Sequence, residues 1–446
     1  MASTRLKNPA TGASVQSERR TLTWSGWIKK IGQGADQDIY TGRYTGSYFA
    51  HLAFDSDDKI RIRQYAGGSS AFFLKTTRVF RDPNAWYHIV MAVDTTQATS
   101  SNRIKLYVNG EQLTTFDTET YPSQNLDTYW QMTGTDSYPS YLGWDGTYYF
   151  NGLMSDVYII GGTAYPASTF GSTDATTGEW KPNANPTISY GTGVAGNAHL
   201  KFDDTSNFGK NSATGFTSNH WSVDNGTMTK TEDCPSNVFP TLNPLLTHAA
   251  HGYSLTIGLG NNKITFNEPS TWTYSTSTIA GINGKFYAEF KVDAVGSEAS
   301  IGVIASDTVN VNQTSGGLDD YLGKETDSIG YFNDGRIYNN NSQGQTGLTS
   351  FTSGTIVGVA MDLDNNTVQF YNNGSTVGNT VSISADKFYH FGVSGYNSTQ
   401  ISCNFGNGYF GTTAVSSAGT NASGIGIFEF DVPTNYRALS TKGLNL

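Results

Sequence analysis

Asp55, Asp57 and Asp58 form the densest run of carboxylates in the chain. Loop oxygens of this kind are what a hard cation such as calcium takes, so these three are the candidate metal ligands. A second group suits recognition. Tyr141, Trp144, Asp145 and Tyr148 lie in an aromatic segment running from Tyr138 to Tyr149, and Tyr40, Tyr44 and Tyr48 form another. Aromatic rings on loops can lie against sugar faces while polar neighbours meet hydroxyls, which makes Tyr44, Tyr141, Trp144, Asp145 and Tyr148 candidate ligand-binding residues. Asp319, Asp320 and Tyr321, after Gly316 and Gly317, are a third candidate set. His248 and His251 lack a third ligand nearby and predict a surface turn rather than zinc. There is no Gly-x-Ser-x-Gly elbow and no phosphate loop, so no catalytic residue is assigned and no cofactor is expected beyond the candidate calcium.

The elements that must position these residues are strands. Trp86 to Asp94 reads as a buried strand that turns into the alternating stretch from Arg103 to Val108 and ends at Asn109-Gly110. Ile356 to Asp364, then Thr367 to Tyr371 and Asn373-Gly374, repeats the pattern. Asn-Gly supplies the positive φ of a tight hairpin. The three acidic residues at 55 to 58 fall in a hairpin turn between Ala50–Phe54 and Lys59–Arg63. Ile425 to Phe430 reads as a terminal strand.

Composition agrees with an all-β chain. Among 446 residues there are 50 glycines, 13% aromatic residues and only 14% charged ones, and no long 3.6-residue periodicity. The length suits two domains of about 150 to 200 residues. The expected division is an N-terminal segment 1–20, a sandwich 21–180, an irregular ordered connector 181–262, a second sandwich 263–412, and a C-terminal strand and tail 413–446. The net charge of −10, from 27 basic and 37 acidic residues, disfavours nucleic acid and anionic membrane as partners. Cys234 and Cys403, assigned to different modules and without CxxC spacing, predict neither a disulfide framework nor a zinc site. No signal-peptide core or membrane-spanning run is read, so synthesis in a cytosol, without classical export or membrane insertion, is expected.

Thr23-Trp24-Ser25-Gly26-Trp27-Ile28-Lys29, Trp86-Tyr87-His88, Val108-Asn109-Gly110 and Phe150-Asn151-Gly152 with Asp156 together resemble the laminin G-like, concanavalin A-like domain. Gly284-Lys285-Phe286-Tyr287, Ile301-Gly302-Val303, Gly330-Tyr331 with Asp334-Gly335, and Gly358 to Asp364 with Phe370 to Gly374 resemble a SPRY domain. Both resemblances imply antiparallel two-sheet sandwiches. The first implies calcium on a loop rim as an option, and the second implies partner binding through loops such as that at Asp319 to Tyr321. The concanavalin-like scaffold also hosts glucanases, whose strand signature Glu-x-Asp-x-x-Glu does not occur here, so the chain is expected not to be an enzyme.

The pairing of the two modules resembles adhesive structural proteins of tailed bacteriophages, as do the segments Val79 to His88, Thr241 to Leu245 and Val432 to Leu439. That resemblance implies a virion component, a tail fibre or similar appendage, attaching to a host-surface glycan or protein by multivalent contact. Its expected partners are other tail or capsid proteins and further copies of itself, a trimer among the options. The alternatives are a capsid decoration protein without receptor binding and, behind it, a polysaccharide-degrading glycoside hydrolase.

Overall fold

A computed structural model describes residues 4–8, 19–130, 139–191, 196–246, 255–309 and 321–445. The chain divides into two compact units, residues 2–230 and 231–446. The boundary falls inside the stretch read as a connector, and each half of that stretch belongs to the unit it adjoins. Ala198–Leu200 pairs with Gly152–Gly161, and Ser222–Asn225 pairs with Arg5–Lys7, so both ends of the first unit enter its sheets. Cys234 and Cys403 both lie in the second unit, rather than in different modules, and both are free thiols.

In the first unit, eight described strands form one sheet in the order Phe116–Thr120, Ser69–Val79, Lys59–Ala66, Tyr48–Phe54, Gln37–Thr45, Tyr141–Leu142, Arg5–Lys7, Ser222–Asn225. Six form the other: Ala198–Leu200, Gly152–Gly161, Thr21–Lys30, Trp86–Asp94, Ile104–Val108, Glu111–Leu113. All these pairings are antiparallel, and alternate residues such as Leu22, Trp24, Ile28, Leu52, Ile62 and Leu74 fill the core between the sheets. The second unit repeats the plan. Lys285–Ala294 sits centrally in one sheet, between Gln400–Asn404 and Ile356–Asp362, and Ala299–Ala305 sits in the other, between Tyr389–Gly395 and Ser328–Phe332. Phe286, Phe290, Ile301, Val359 and Phe391 lie in the core between them. Both units are antiparallel β-sandwiches, and among the described residues no helix is long and apolar enough to cross a membrane.

The two Asn-Gly hairpins form as their spacing predicts. Asn109 and Gly110 have φ of 50° and 82°, and Asn373 and Gly374 have 46° and 79°. Each asparagine also accepts a backbone N–H through its side chain, from His88 (2.8 Å) and from Ile356 (2.9 Å), which ties the turn to the neighbouring strand.

The terminal strand expected at 425–430 does not form. Ile427 makes a single bridge with Asn407, while the N–H groups of Glu429 and Phe430 are taken by the carboxylate of Glu289 at 2.7 and 2.9 Å. Those groups bond to a side chain instead of a neighbouring strand. Ile425, Phe428 and Ala438 pack with Phe239, Tyr287 and Ala360 into a small second core on the outer face of the sheet.

Candidate functional site

The register of the eight-stranded sheet lines up a row of side chains that local sequence does not reveal. Lys7 opposes Tyr141, Tyr141 opposes Thr41, Thr41 opposes His51, His51 opposes Arg63, and Arg63 opposes Phe73. One step along, Arg43 opposes Phe49, which opposes Tyr65. Side chains alternate between faces, so both rows lie on the face away from Leu52, Ile62 and Leu74. Rings and guanidinium groups interleave along them. Phe49 stacks on Tyr65 at 4.8 Å, Arg63 lies over Tyr65 at 4.2 Å and over Phe73 at 4.8 Å, and Arg43 lies over Phe49 at 5.5 Å. From the strand of Phe73 to that of Arg5 the strip crosses five strand spacings, about 24 Å.

At one end the strip opens into a depression of about 390 Å³ lined by Arg43, Phe49, Tyr141, Trp144, Asp145 and Thr147. That volume is within the range of small-ligand sites. A tight turn builds its rim. The Asp145 carboxylate accepts N–H bonds from Thr147 (2.7 Å) and Tyr148 (2.8 Å), and Trp144 bridges Tyr149. Gly146 has φ of +114°, and a Cβ there would sit 2.3 Å from the Arg43 guanidinium, so glycine lets Arg43 reach the Asp145 carbonyl at 2.6 Å. Arg5 lies over the Trp144 ring at 3.7 Å and is itself held by Asp224. Tyr141 meets Trp144 edge-on at 4.8 Å.

Of the candidate ligand-binding residues, Tyr141, Trp144 and Asp145 line the depression. Tyr44 and Tyr148 do not line the depression. Tyr44 is half exposed and packs with Tyr48 and Tyr129, and Tyr148 contributes its backbone while its ring is exposed. Tyr40 faces the core, its hydroxyl donating to the Trp130 carbonyl at 2.6 Å, so it is not part of a binding surface. Tyr321 packs against Trp272, Phe332 and Tyr338 in the second unit. Tyr138, His248, His251, Asp319 and Asp320 lie outside the described residues.

The turn at Asp55, Asp57 and Asp58 does not fit calcium. Asp55 is bound by Arg61 and Lys75, Asp57 by Lys59 and Lys75, and Asp58 by Lys30 and Arg81. Burial acts to raise the Asp55 pKa, but Lys75 and Arg61 outweigh it and hold the carboxyl at about 2. These charges are already compensated by the protein's own cations, Asp55 and Asp57 sharing Lys75 while Asp58 turns away to Lys30 and Arg81. Of the residues that do converge, sequence singles out Asp145 alone, and as a ligand-binding rather than a metal residue: among the described residues, ligand atoms of Asp38, His51 and Asp145 lie within 4.8 Å of one another. His51 belongs to the strip, and Asp38 sits beside it on the neighbouring strand with its Oδ1 accepting from the Thr41 hydroxyl at 2.5 Å. Asp38 is fully buried, so it is not presented to the depression as the second carboxylate that glycoside hydrolysis would require.

Comparison with known proteins follows the division into units. The family model described as the concanavalin A-like lectin/glucanases superfamily matches residues 7–168, and that of the SPRY domain matches residues 285–408. No curated protein matches the chain. Among solved structures it is similar to the SPRY domain of human HERC1, at 18% identity over 33% of this chain and 91% of that one, with a TM-score of 0.27. It is similar to the TRIM65 PSpry domain at 12% identity over 37% and 89%, with a TM-score of 0.30. It is also similar to a heptameric SAP-like pentraxin from Limulus polyphemus, at 14% identity over 41% and 87%, with a TM-score of 0.28.

Proposed function

For a chain that carries a concanavalin A-like module ahead of a SPRY module, both typical of binding rather than catalysis, we propose a bacteriophage structural protein that attaches the particle to a host-surface glycan. The phage context rests on the resemblance of the paired modules and of the segments at 79–88, 241–245 and 432–439 to adhesive virion proteins. The glycan rests on one observation: an outward strip of half-buried rings and arginines ending in the depression at Tyr141, Trp144 and Asp145. Rings cover the apolar faces of sugars, and arginines and the Asp145 loop supply donors and acceptors for hydroxyls and acidic substituents. A strip of about 24 Å suits an extended polysaccharide better than a single sugar. Several copies on one particle would turn weak single-site contact into persistent attachment.

The test is binding of the purified full chain to isolated host-envelope polysaccharide. Trp144→Ala, which removes a ring from the rim while leaving the core untouched, is expected to weaken binding about tenfold, the equivalent of about 1.4 kcal/mol. Polysaccharide binding that is absent in the parent chain, or unchanged in Trp144→Ala and Tyr65→Ala alike, rules out the strip as the glycan surface. Imaging of intact particles that finds the strip buried against capsid subunits would replace attachment with capsid decoration.

A further inference from the structure

Beneath the depression lies a cluster that glycan binding does not explain. His51 is 3% exposed, and neither of its ring nitrogens has an aligned hydrogen-bond partner among the described residues. A buried imidazole in that condition recovers its lost hydration only through the charges around it. Its Nδ1 instead faces two carboxylate oxygens, Asp38 Oδ2 at 3.4 Å and Asp145 Oδ2 at 3.9 Å. Both separations are long for hydrogen bonds. Bonds of about 2.0 to 2.2 Å in tetrahedral geometry put ligand atoms about 3.3 to 3.6 Å apart; the Asp38 separation lies in that range, and the Asp145 oxygen would move in by a few tenths of an ångström to share an ion.

Each carboxylate is also oriented as a ligand would be. The Thr41 hydroxyl holds Asp38 Oδ1, and two loop N–H groups hold Asp145 Oδ1, so each side chain is fixed through one oxygen and turns the other toward His51. Such outer contacts on ligating carboxylates are a regular feature of metal sites. Arg61, the nearby cation, is neutralised by Asp36 and Asp55, and the charge facing Asp38 and Asp145 is that of His51 when protonated, whose place a dication would take. Calcium takes six to eight oxygens, and the imidazole turns selectivity toward first-row transition metals.

We propose that Asp38, His51 and Asp145 bind one transition-metal dication of the zinc class. Three protein ligands leave a fourth position for water or a ligand hydroxyl. Asp145 links the site to the rim of the depression, so an ion here would stiffen the turn that carries Trp144. The site stands on its own geometry, whether or not the strip binds glycan.

The experiment is calorimetric titration of the untagged, chelator-treated full chain with Zn²⁺, Co²⁺ and Ca²⁺, with Co²⁺ also followed by its visible absorption. One equivalent of Zn²⁺ is expected, with Co²⁺ bands characteristic of a low-coordinate site and no comparable Ca²⁺ uptake. His51→Gln and Asp145→Asn should each weaken Zn²⁺ binding at least a hundredfold. Asp145→Asn keeps an amide oxygen for the two loop N–H groups and thereby keeps the fold, which circular dichroism would check. A parent chain that takes up no Zn²⁺ or Co²⁺ overturns the proposal, and so does uptake that survives both substitutions or is matched by Ca²⁺.

Discussion

Glu289→Ala is expected to destabilise the second unit by about 3–5 kcal/mol, a fall in melting temperature on the order of 10 °C. The carboxylate is fully buried and accepts the N–H groups of Glu429 and Phe430, with the Tyr287 hydroxyl 3.3 Å away. Truncation leaves two part-buried backbone donors without their acceptor, each costing up to about 1–3 kcal/mol. The loss should be local before it is global. Hydrogen exchange should accelerate first across 425–439, the segment that covers the outer face of the sheet, while Lys285–Ala294 stays protected.

The same residue gives the unit a pH dependence. Burial raises the Glu289 pKa from 4.5 to about 7, overriding its hydrogen bonds. Its folded-state value is therefore above its unfolded one, so between those values the native state holds a proton the unfolded chain has lost. The associated stability is complete below about pH 4.5 and is lost as pH rises through about 7. Glu289→Gln should flatten that slope in thermal melts across this window; a slope that persists would place the titrating group elsewhere.

Asp58→Ala should cost the first unit a similar amount, about 3–5 kcal/mol. Lys30 is fully buried, and its ammonium rests on Asp58 at 2.6 Å, with the Gly32 carbonyl, Gln33 and the face of the Phe54 ring as further partners. Removing Asp58 leaves a buried cation without its counter-charge. Asp58 has φ of +63°, so Asp58→Asn, which tolerates that backbone, separates the charge effect from backbone strain. Asp57→Ala, whose carboxylate is 40% exposed, should change stability by less than about 1 kcal/mol. Burial opposes ionisation of Asp58, but Lys30, the Gly34 N–H and Arg81 outweigh it and lower its pKa. Its contribution is thus present above the ordinary carboxylate range and lost as pH falls through the depressed value. Equal costs at positions 57 and 58 in chemical denaturation would refute this account.

The contrast between these two aspartates shows where local reading ends. Both stand in a turn correctly placed between Tyr48–Phe54 and Lys59–Ala66, yet their chemistry depends on Lys30, Lys75 and Arg81, which other parts of the chain supply. The densest acidic run became a set of ion pairs, and the convergent ligand trio came from positions 38, 51 and 145. No motif spans such a separation. A signal did exist in strand alternation: His51 and Arg63 sit at polar-facing positions among Leu52 and Ile62, but only register shows that they are opposite one another.

Sequence alone determined the central strands of both modules, the two Asn-Gly hairpins and the two-sandwich plan. These follow from period-two burial and from φ-permissive turn residues, both properties of neighbours along the chain. Tertiary structure decided that Tyr40 turns inward, that Arg43, Phe49, Tyr65 and Arg63 form one strip, that residues 425–430 bond to Glu289 rather than to a strand, and that Asp38 meets His51. Those outcomes depend on strand order, and on a register in which a shift of one residue would exchange the two faces of the sheet.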